Sequence, residues 1–374
     1  MNSEIIKVPY VDIAGQHAPL KKELLAAIER VIDHGIFVLG PEVEEFEAQF
    51  AELCGTDYAV GVNSGTDALI LGLRALGIGS GDEVITAPNS FVASASCISL
   101  VGAVPVFADV GDDYNLDPKL VESAITPRTK AILPVHLTGR SARMAPLVDL
   151  ARDKNLFILE DAAQAVLAEY RGQKVGSFGD VGCFSCHPLK TLNAMGDAGV
   201  VTTNDLEVAK RLRILRNIGL ESRDNSVVWA GNSRLDAVQA AVLQVKLRFV
   251  QEWTDRRRAN AKFYQTELAF LGQYGLRVPD ERDDERAVYH TFVVRAERRE
   301  KLRKYLSDNG IGTAIHYPVP IHLQDAASHL NCPIGSFPEA ERQAGEILSL
   351  PVYPELSEEQ LTHVVQTIKE FYNR

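Results

Sequence analysis

The run YAVGVNSGTDALILGLRAL, residues 58–76, decides the architecture. Tyr58–Val62 reads as a short strand buried on both faces, Gly65 turns the chain, and Thr66–Leu76 carries apolar residues at helical spacing. The same alternation continues on the C-terminal side. Short apolar runs appear at Val84–Thr86, Val104–Asp109, Ala131–Leu137, Phe157–Asp161, Val181–Ser185 and Gly199–Thr203. Helical segments such as Met144–Asp153 fill most of the gaps. Buried strands joined by helical crossovers predict an α/β fold around a mainly parallel sheet. In such a sheet, ligands collect beyond the carboxyl ends of the strands.

Two helices precede this region. Pro19 sits at a first helical position, Leu20, Leu24, Ile28 and Ile32 recur behind it, and Gly35 ends the run. Pro41 opens the second helix, with Val43, Phe46, Phe50 and Leu53 on one face and Gly55 as terminator. Between them lies the apolar loop GIFVLG (35–40). After residue 205 the pattern changes. A helix over 205–217 and a pair within 234–271 lead to a strand at Val288–Arg295 and a helix ending at Asn309–Gly310. A strand near Ile311–His316 and two closing helices follow. The last, Ser357–Tyr372, lines up Leu361, Val364, Val365, Ile368 and Tyr372. This predicts a large domain over 1–245 and a smaller α+β domain over 246–374.

Composition narrows the function classes. The chain of 374 residues is 46% apolar and 24% charged, ordinary for a soluble protein. No apolar run reaches the roughly 18–20 residues that span a bilayer, so no membrane segment is expected. Met1 to Val8 lacks a basic stretch followed by an apolar one, which makes the cytoplasm the default location. A formal charge of −11 argues against nucleic-acid partners. Cys54, Cys97, Cys183, Cys186 and Cys332 are scattered. Cys183 and Cys186 have C-x-x-C spacing but no second pair, so free thiols are expected and no metal.

Four segments carry the chemistry. In NSGTDAL (63–69), Gly65 and Thr66 stand where a helix begins, and its unpaired N–H groups and dipole suit an anion; a plain helix cap fits the same residues. In LFILEDAAQ (156–164), Asp161 ends an apolar strand, where a carboxylate must be paired, reactive, or capping the next helix through Ala163 or Gln164. In FSCHPLK (184–190), Ser185 offers a hydroxyl and Lys190 an amine whose pKa an apolar wall would lower. In GNSRLDAVQAAVL (231–243), Asn232 reads locally as a helix cap.

In this order the segments resemble the DegT/DnrJ/EryC1/StrS family of sugar aminotransferases, among the fold-type-I pyridoxal-phosphate enzymes. The likeness runs through GPEVEEFE (40–47), SGTDALILGLRALGIGSGDEVI (64–85), ITPRTKAILPVH (125–136), EDAAQ (160–164), NSRLDAVQAAVL (232–243), HYPVPIH (316–322) and LSLPVYPELSEEQ (348–360). It implies an aspartate aminotransferase-like large domain with a seven-stranded sheet, and pyridoxal phosphate cycling with pyridoxamine phosphate. Lys190 would form the Schiff base and move the proton. Asp161 would face the pyridine nitrogen, Gln164 the ring hydroxyl and Phe91 the ring itself. Gly65, Thr66 and Ser185 would hold the phosphate. Asn232 would reach it from a neighbouring subunit, implying a homodimer with shared sites. Phe37, His316, Tyr317 and His322 fall at sugar-pocket positions.

The chain departs from the family at Val166-Leu167, where His-Gly is common, and at Ile218, where a His is usual; both bear on substrate contacts. Lys190 separates it from family dehydratases, which carry His there. The implied reaction moves an amino group from glutamate to a nucleotide-linked keto-deoxyhexose, at C3 rather than C4. A cyclitol ketone as acceptor, a sugar dehydratase and a cofactor-binding transcriptional sensor are the alternatives; the acidic charge and missing basic segment disfavour the sensor.

Overall fold

The computed structural model describes residues 6–373. The first five residues, on which most of the N-terminal leader reading falls, lie outside that range. Seven strands form the main sheet: β1 Tyr58–Val62, β2 Glu83–Thr86, β3 Val104–Phe107, β4 Thr129–Leu133, β5 Phe157–Asp161, β6 Val181–Ser185 and β7 Gly199–Thr203. They run in the order β1-β7-β6-β5-β4-β2-β3. All neighbours are parallel except at β7, which is antiparallel to both β1 and β6. The expected mainly parallel α/β sheet is therefore present.

Two strands stop earlier than their apolar runs. β4 ends at Leu133 because Pro134 brings no N–H to the ladder. β3 ends at Phe107, and Asp109 instead turns its carboxylate to the N-terminus of the helix Pro338–Glu346, accepting from Glu339 N at 2.9 Å and Ala340 N at 3.0 Å. That cap ties the C-terminal region to the large sheet.

The N-terminal helices end where their glycines require, and Pro41 opens the second; the first starts at Lys21, after a 3₁₀ turn that holds Pro19. Lys21–His34 ends at Gly35 with φ +71° and Pro41–Cys54 at Gly55 with φ +68°, both left-handed caps. The buried stripe of the first is not the one expected. Leu20, Leu24, Ala27 and Val31 face the core, while Ile32 is 62% exposed. A repeat of four drifts round a helix of 3.6 residues per turn; steps of four, three and four stay on one side.

The C-terminal region builds an antiparallel sheet from Leu276–Arg277, Phe292–Ala296 and Ile347–Leu350. The helices Val250–Leu268, Arg299–Asp308 and Glu358–Tyr372 pack on it through Tyr264, Leu302, Val364 and Ile368. Ser357 and Gln360 form a reciprocal capping box at the last helix. Val8 joins this core from the far end of the chain: its N–H donates to Gly310 O at 2.9 Å and its carbonyl accepts from Gly312 N at 2.8 Å. The strand expected over Ile311–His316 is reduced to single bridges at Ile311 and Ala314. The chain there is committed to Val8 on one side and Ser349 on the other, then turns His316 and Tyr317 into a cavity wall. The strand expected from Val288 begins at Phe292, since Val288 N donates instead to Gly139 O at 2.8 Å. Among the described residues no helix is long and apolar enough to cross a membrane.

Candidate active site

A cavity of about 440 Å³ opens beyond the carboxyl ends of β1, β5 and β6, roofed by residues of the C-terminal region. Its floor begins where β1 passes into the helix Gly65–Ala75. Ser64 caps that helix by accepting from Asp67 N at 3.1 Å, which leaves the leading N–H groups of Gly65 and Thr66 for an anion. The backbone here is packed against its neighbours. A Cβ on Gly65 would lie 2.5 Å from Ser185 Cβ, and one on Gly199 would lie 2.2 Å from Ser64 O. Gly65, Thr66 and Ser185 thus meet at one end of the cavity through close backbone approach, and their N–H and hydroxyl groups form a cradle that can take a phosphate.

Asp161 ends β5 and is buried. Its Oδ2 accepts from Ser94 Oγ at 2.6 Å and its Oδ1 from Ala163 N at 3.2 Å. Burial pushes the carboxyl pKa up, against the pull of Ser94, Ala163 and Lys190. The Ala163 contact is the cap-like bond open from sequence, but turns rather than a helix follow, so it fixes the carboxylate and caps nothing. Gln164 is clamped at both ends of its amide: Oε1 accepts from Thr138 N at 2.7 Å, and Nε2 donates to Tyr317 Oη at 3.2 Å. Phe91 stands beside Tyr317, ring centroids 5.5 Å apart, and forms an aromatic shelf over the cavity.

Lys190 follows β6 in a tight turn and lines the same cavity. Burial pulls its amine down to about 8, partly opposed by the Asp161 charge. A neutral, nucleophilic amine is therefore accessible near neutral pH. The turn is anchored from behind. Asn193 Nδ2 donates to Lys190 O at 3.0 Å and to Gln16 Oε1 at 2.9 Å, while the buried Lys246 Nζ donates to Asn193 Oδ1 at 2.6 Å and His17 Nε2 at 2.7 Å.

The cavity gathers Gly65, Thr66, Phe91, Asp161, Gln164, Ser185, Lys190, His316 and Tyr317. Phe37, Asn232 and His322 do not line it. Phe37 is 51% exposed, and Asn232 is exposed and bridges to Asn217. Asn232 caps no helix, because the next one starts at Ala237. His322 is buried beside Glu341, 3.1 Å away, with its ring edge-on to Phe337. Val166 and Leu167 are core residues packed with the Phe50 cluster, which removes them from substrate contact. Tyr10, Asp197, Arg257, His290 and Thr291 line the cavity without having been singled out from sequence. Arg257 had a signal: it falls on the buried stripe of its helix with Val250, Trp253, Ala261 and Tyr264, unlike its neighbours Arg256 and Arg258.

These residues fit pyridoxal phosphate. The cradle takes a phosphate, a buried carboxylate stands ready for a protonated ring nitrogen, and a neutralisable lysine faces the space between them. Comparison with known proteins agrees. A model of the DegT/DnrJ/EryC1/StrS aminotransferase family matches residues 19–369. The chain is 47% identical over 373 residues to a dTDP-3-amino-3,4,6-trideoxy-alpha-D-glucose transaminase of Streptomyces venezuelae, covering 100% of this chain and 98% of that one. It matches the X-ray crystal structure of S. venezuelae DesV in complex with a ketimine intermediate with a TM-score of 0.96 and 48% identity, over 98% of this chain and 99% of that one. It also matches NtdA of Bacillus subtilis with bound cofactor PMP, with a TM-score of 0.92 and 29% identity, over 100% and 87% of the two chains. The chain belongs to the DegT/DnrJ/EryC1/StrS family and is a pyridoxal-phosphate-dependent aminotransferase.

Proposed function

We propose that this protein transfers an amino group from glutamate to the C3 ketone of a nucleotide-linked keto-deoxyhexose, in the cytoplasm and as a homodimer with shared sites. One observation carries the reading: Lys190, with an amine pulled down to about 8, shares a cavity with the buried Asp161 and with Gly65 and Thr66 at a helix N-terminus. The 3-amino sugar in the name of the S. venezuelae relative supports the acceptor and the carbon.

Pyridoxal phosphate, when bound, supplies a carbonyl carbon that takes nitrogen and a ring that accepts electrons. The chain supplies the rest. Gly65, Thr66 and Ser185 hold the phosphate, joined by Asn232 of the partner subunit. Asp161 keeps the ring nitrogen protonated, Gln164 orients the ring hydroxyl, and Phe91 covers the ring face. Lys190 Nζ carries the proton to and from the reacting carbon in both halves of the cycle. His316 and Tyr317 border the sugar. The partner's Phe37 completes that side, and His322 supports it from behind Phe337. The exposed apolar residues Ile36, Phe37, Val38 and Trp229, the last 92% exposed and near Asn232 in sequence, support an interface there. The larger domain, 1–245, supplies the cofactor-facing residues, and the smaller, 246–374, supplies His316 and Tyr317.

The test is Lys190→Arg with a panel of nucleotide keto-sugars and a cyclitol ketone. The wild type is expected to aminate a 3-keto nucleotide sugar and to be fixed with its cofactor by borohydride; the variant loses both. Wild-type turnover by the variant, or preference for the cyclitol, overturns the reading.

A further inference from the structure

We infer that Arg257, with Thr291 and His290, forms a carboxylate-binding subsite in the cavity wall that seats the amino donor. The inference rests on the glutamate-fed reading of the site and extends it to residues with no role so far.

Arg257 sits on the buried face of the helix Val250–Leu268 and is only 5% exposed, yet it lines the cavity that holds Lys190. Among the described residues only Nη1 of its guanidinium makes a hydrogen bond, to His290 O at 3.3 Å, and Nε is buried with no partner there. No carboxylate pairs with it among the described residues; Glu355, whose charge favours the cation most, makes no ion pair with it. Two neighbours are in the same condition. Thr291 Oγ1 and His290 Nδ1 are buried without hydrogen-bond partners among the described residues, and both residues line the cavity. His290 is surrounded by Lys190, Arg257, His316 and His187, and together with burial these hold it neutral. Burial lowers the Arg257 pKa only to about 10, so it remains a cation at neutral pH.

A desolvated guanidinium without a counter-ion is costly, and an incoming anion removes that cost. The planar fork matches a carboxylate bidentately. Two substrate anions compete for it. The diphosphate of a nucleotide sugar is separated from C3 by the sugar ring and must lead outward to the nucleotide. The α-carboxylate of an amino acid is one bond from the carbon that loses its amine, so it must lie in the same enclosed space as Lys190 Nζ. The phosphate cradle at Gly65, Thr66 and Ser185 is already accounted for. The geometry therefore favours the donor.

The test uses the cofactor-loaded enzyme in two separate half-reactions, followed by the change in cofactor absorbance, together with calorimetric titration of glutarate, a dicarboxylate with no amine. In Arg257→Gln, donor efficiency relative to acceptor efficiency is expected to fall on the order of 100-fold, and glutarate binding to weaken at least tenfold. Arg257→Lys should recover part of both. Circular dichroism and cofactor absorbance establish that each variant is folded and loaded. An equal fall in the two half-reactions, a selective fall with the sugar, or glutarate binding within twofold of wild type overturns the subsite. If the wild type accepts no amine from glutamate, the donor assignment fails instead, while glutarate still reads the subsite.

Discussion

Ser94 Oγ donates a 2.6 Å hydrogen bond to Asp161 Oδ2, and Ser90 Oγ lies 2.8 Å behind Ser94. Because the Ser94 proton is committed to the carboxylate, Ser90 must be the donor in the second contact. With Ala163 N on Oδ1, the carboxylate is held from two sides in an otherwise desolvated position. The relay starts at Ser90, directly before Phe91, and ends at Ser94 in the first turn of the helix Ala93–Leu100, so the ring shelf and the carboxylate are set by one segment.

Ser94→Ala removes the stronger of these bonds. Stability is expected to fall by about 1–3 kcal/mol, as for other buried acceptors left unpaired. Ser94 pulls the Asp161 pKa down, so its loss raises an already raised value. The acid limb of the donor half-reaction should move to higher pH. A pH profile identical to wild type would show that Asp161 does not depend on Ser94.

Gly199→Ala places a methyl group against Ser64 O and Gly65 N, at 2.2 and 2.9 Å. Both clashes are with backbone, which cannot rotate away. The substitution is expected to cost about 1–3 kcal/mol through overpacking and to open the phosphate cradle. Weaker retention of pyridoxal phosphate through gel filtration, with pyridoxal itself less affected, is the measurement.

Lys246 is fully buried, and burial brings its pKa from 10.5 down to about 8. Below pH 8 the folded state carries the whole cost of the buried charge. Between 8 and 10.5 the unfolded chain holds the extra proton, so this residue's contribution makes stability rise with pH. Lys246→Met should make that rise shallower, leaving the share from Lys190, when the two proteins' urea midpoints are compared from pH 7.5 to 10. It also leaves Asn193 without two donated bonds and loosens the Lys190 turn, so borohydride fixation of the cofactor should slow.

Glu47 and Arg216 form a buried ion pair shared with β1: Glu47 Oε1 also accepts from Gly61 N at 2.8 Å, and Arg216 Nη1 donates to Gly61 O at 2.9 Å. Glu47→Ala strands a buried guanidinium and a backbone N–H. A loss of about 3–5 kcal/mol in denaturant unfolding is expected, whereas replacing both residues by leucine should restore a large part of it.

Much of this molecule could be read from local pattern. The strand–turn–helix unit at 58–76 survives with its helix shifted by one residue, since Ser64 rather than a later residue caps it. Asp161 and Ser185 end their strands as their positions predict. Pro41, Gly35 and Gly55 mark the early helices because each has a fixed backbone preference that needs no partner, whereas Pro19 falls in a 3₁₀ turn, Ala18–Leu20, that joins a short helix at Ile13–His17 to Lys21–His34. Where local signal and packing disagreed, packing won. Ile32 lost its place in the core to Val31, the run after Pro134 kept only a single bridge from Val135 to Asp161, and Ile311–His316 was drawn into bridges by Val8 and Ser349.

By itself the sequence determined the sheet, the order of the strand ends and the lysine, carboxylate and glycine turn that stand on them. These are encoded in spacing, and spacing within one element is a local property. The tertiary structure alone decided that Arg257, His290 and Thr291 meet Lys190, that Lys246 and Asn193 brace its turn, and that Phe37, Asn232 and His322 stand outside the cavity. Those relationships join residues far apart in the chain, and they exist only because desolvation within the folded interior makes each buried polar group depend on a distant partner.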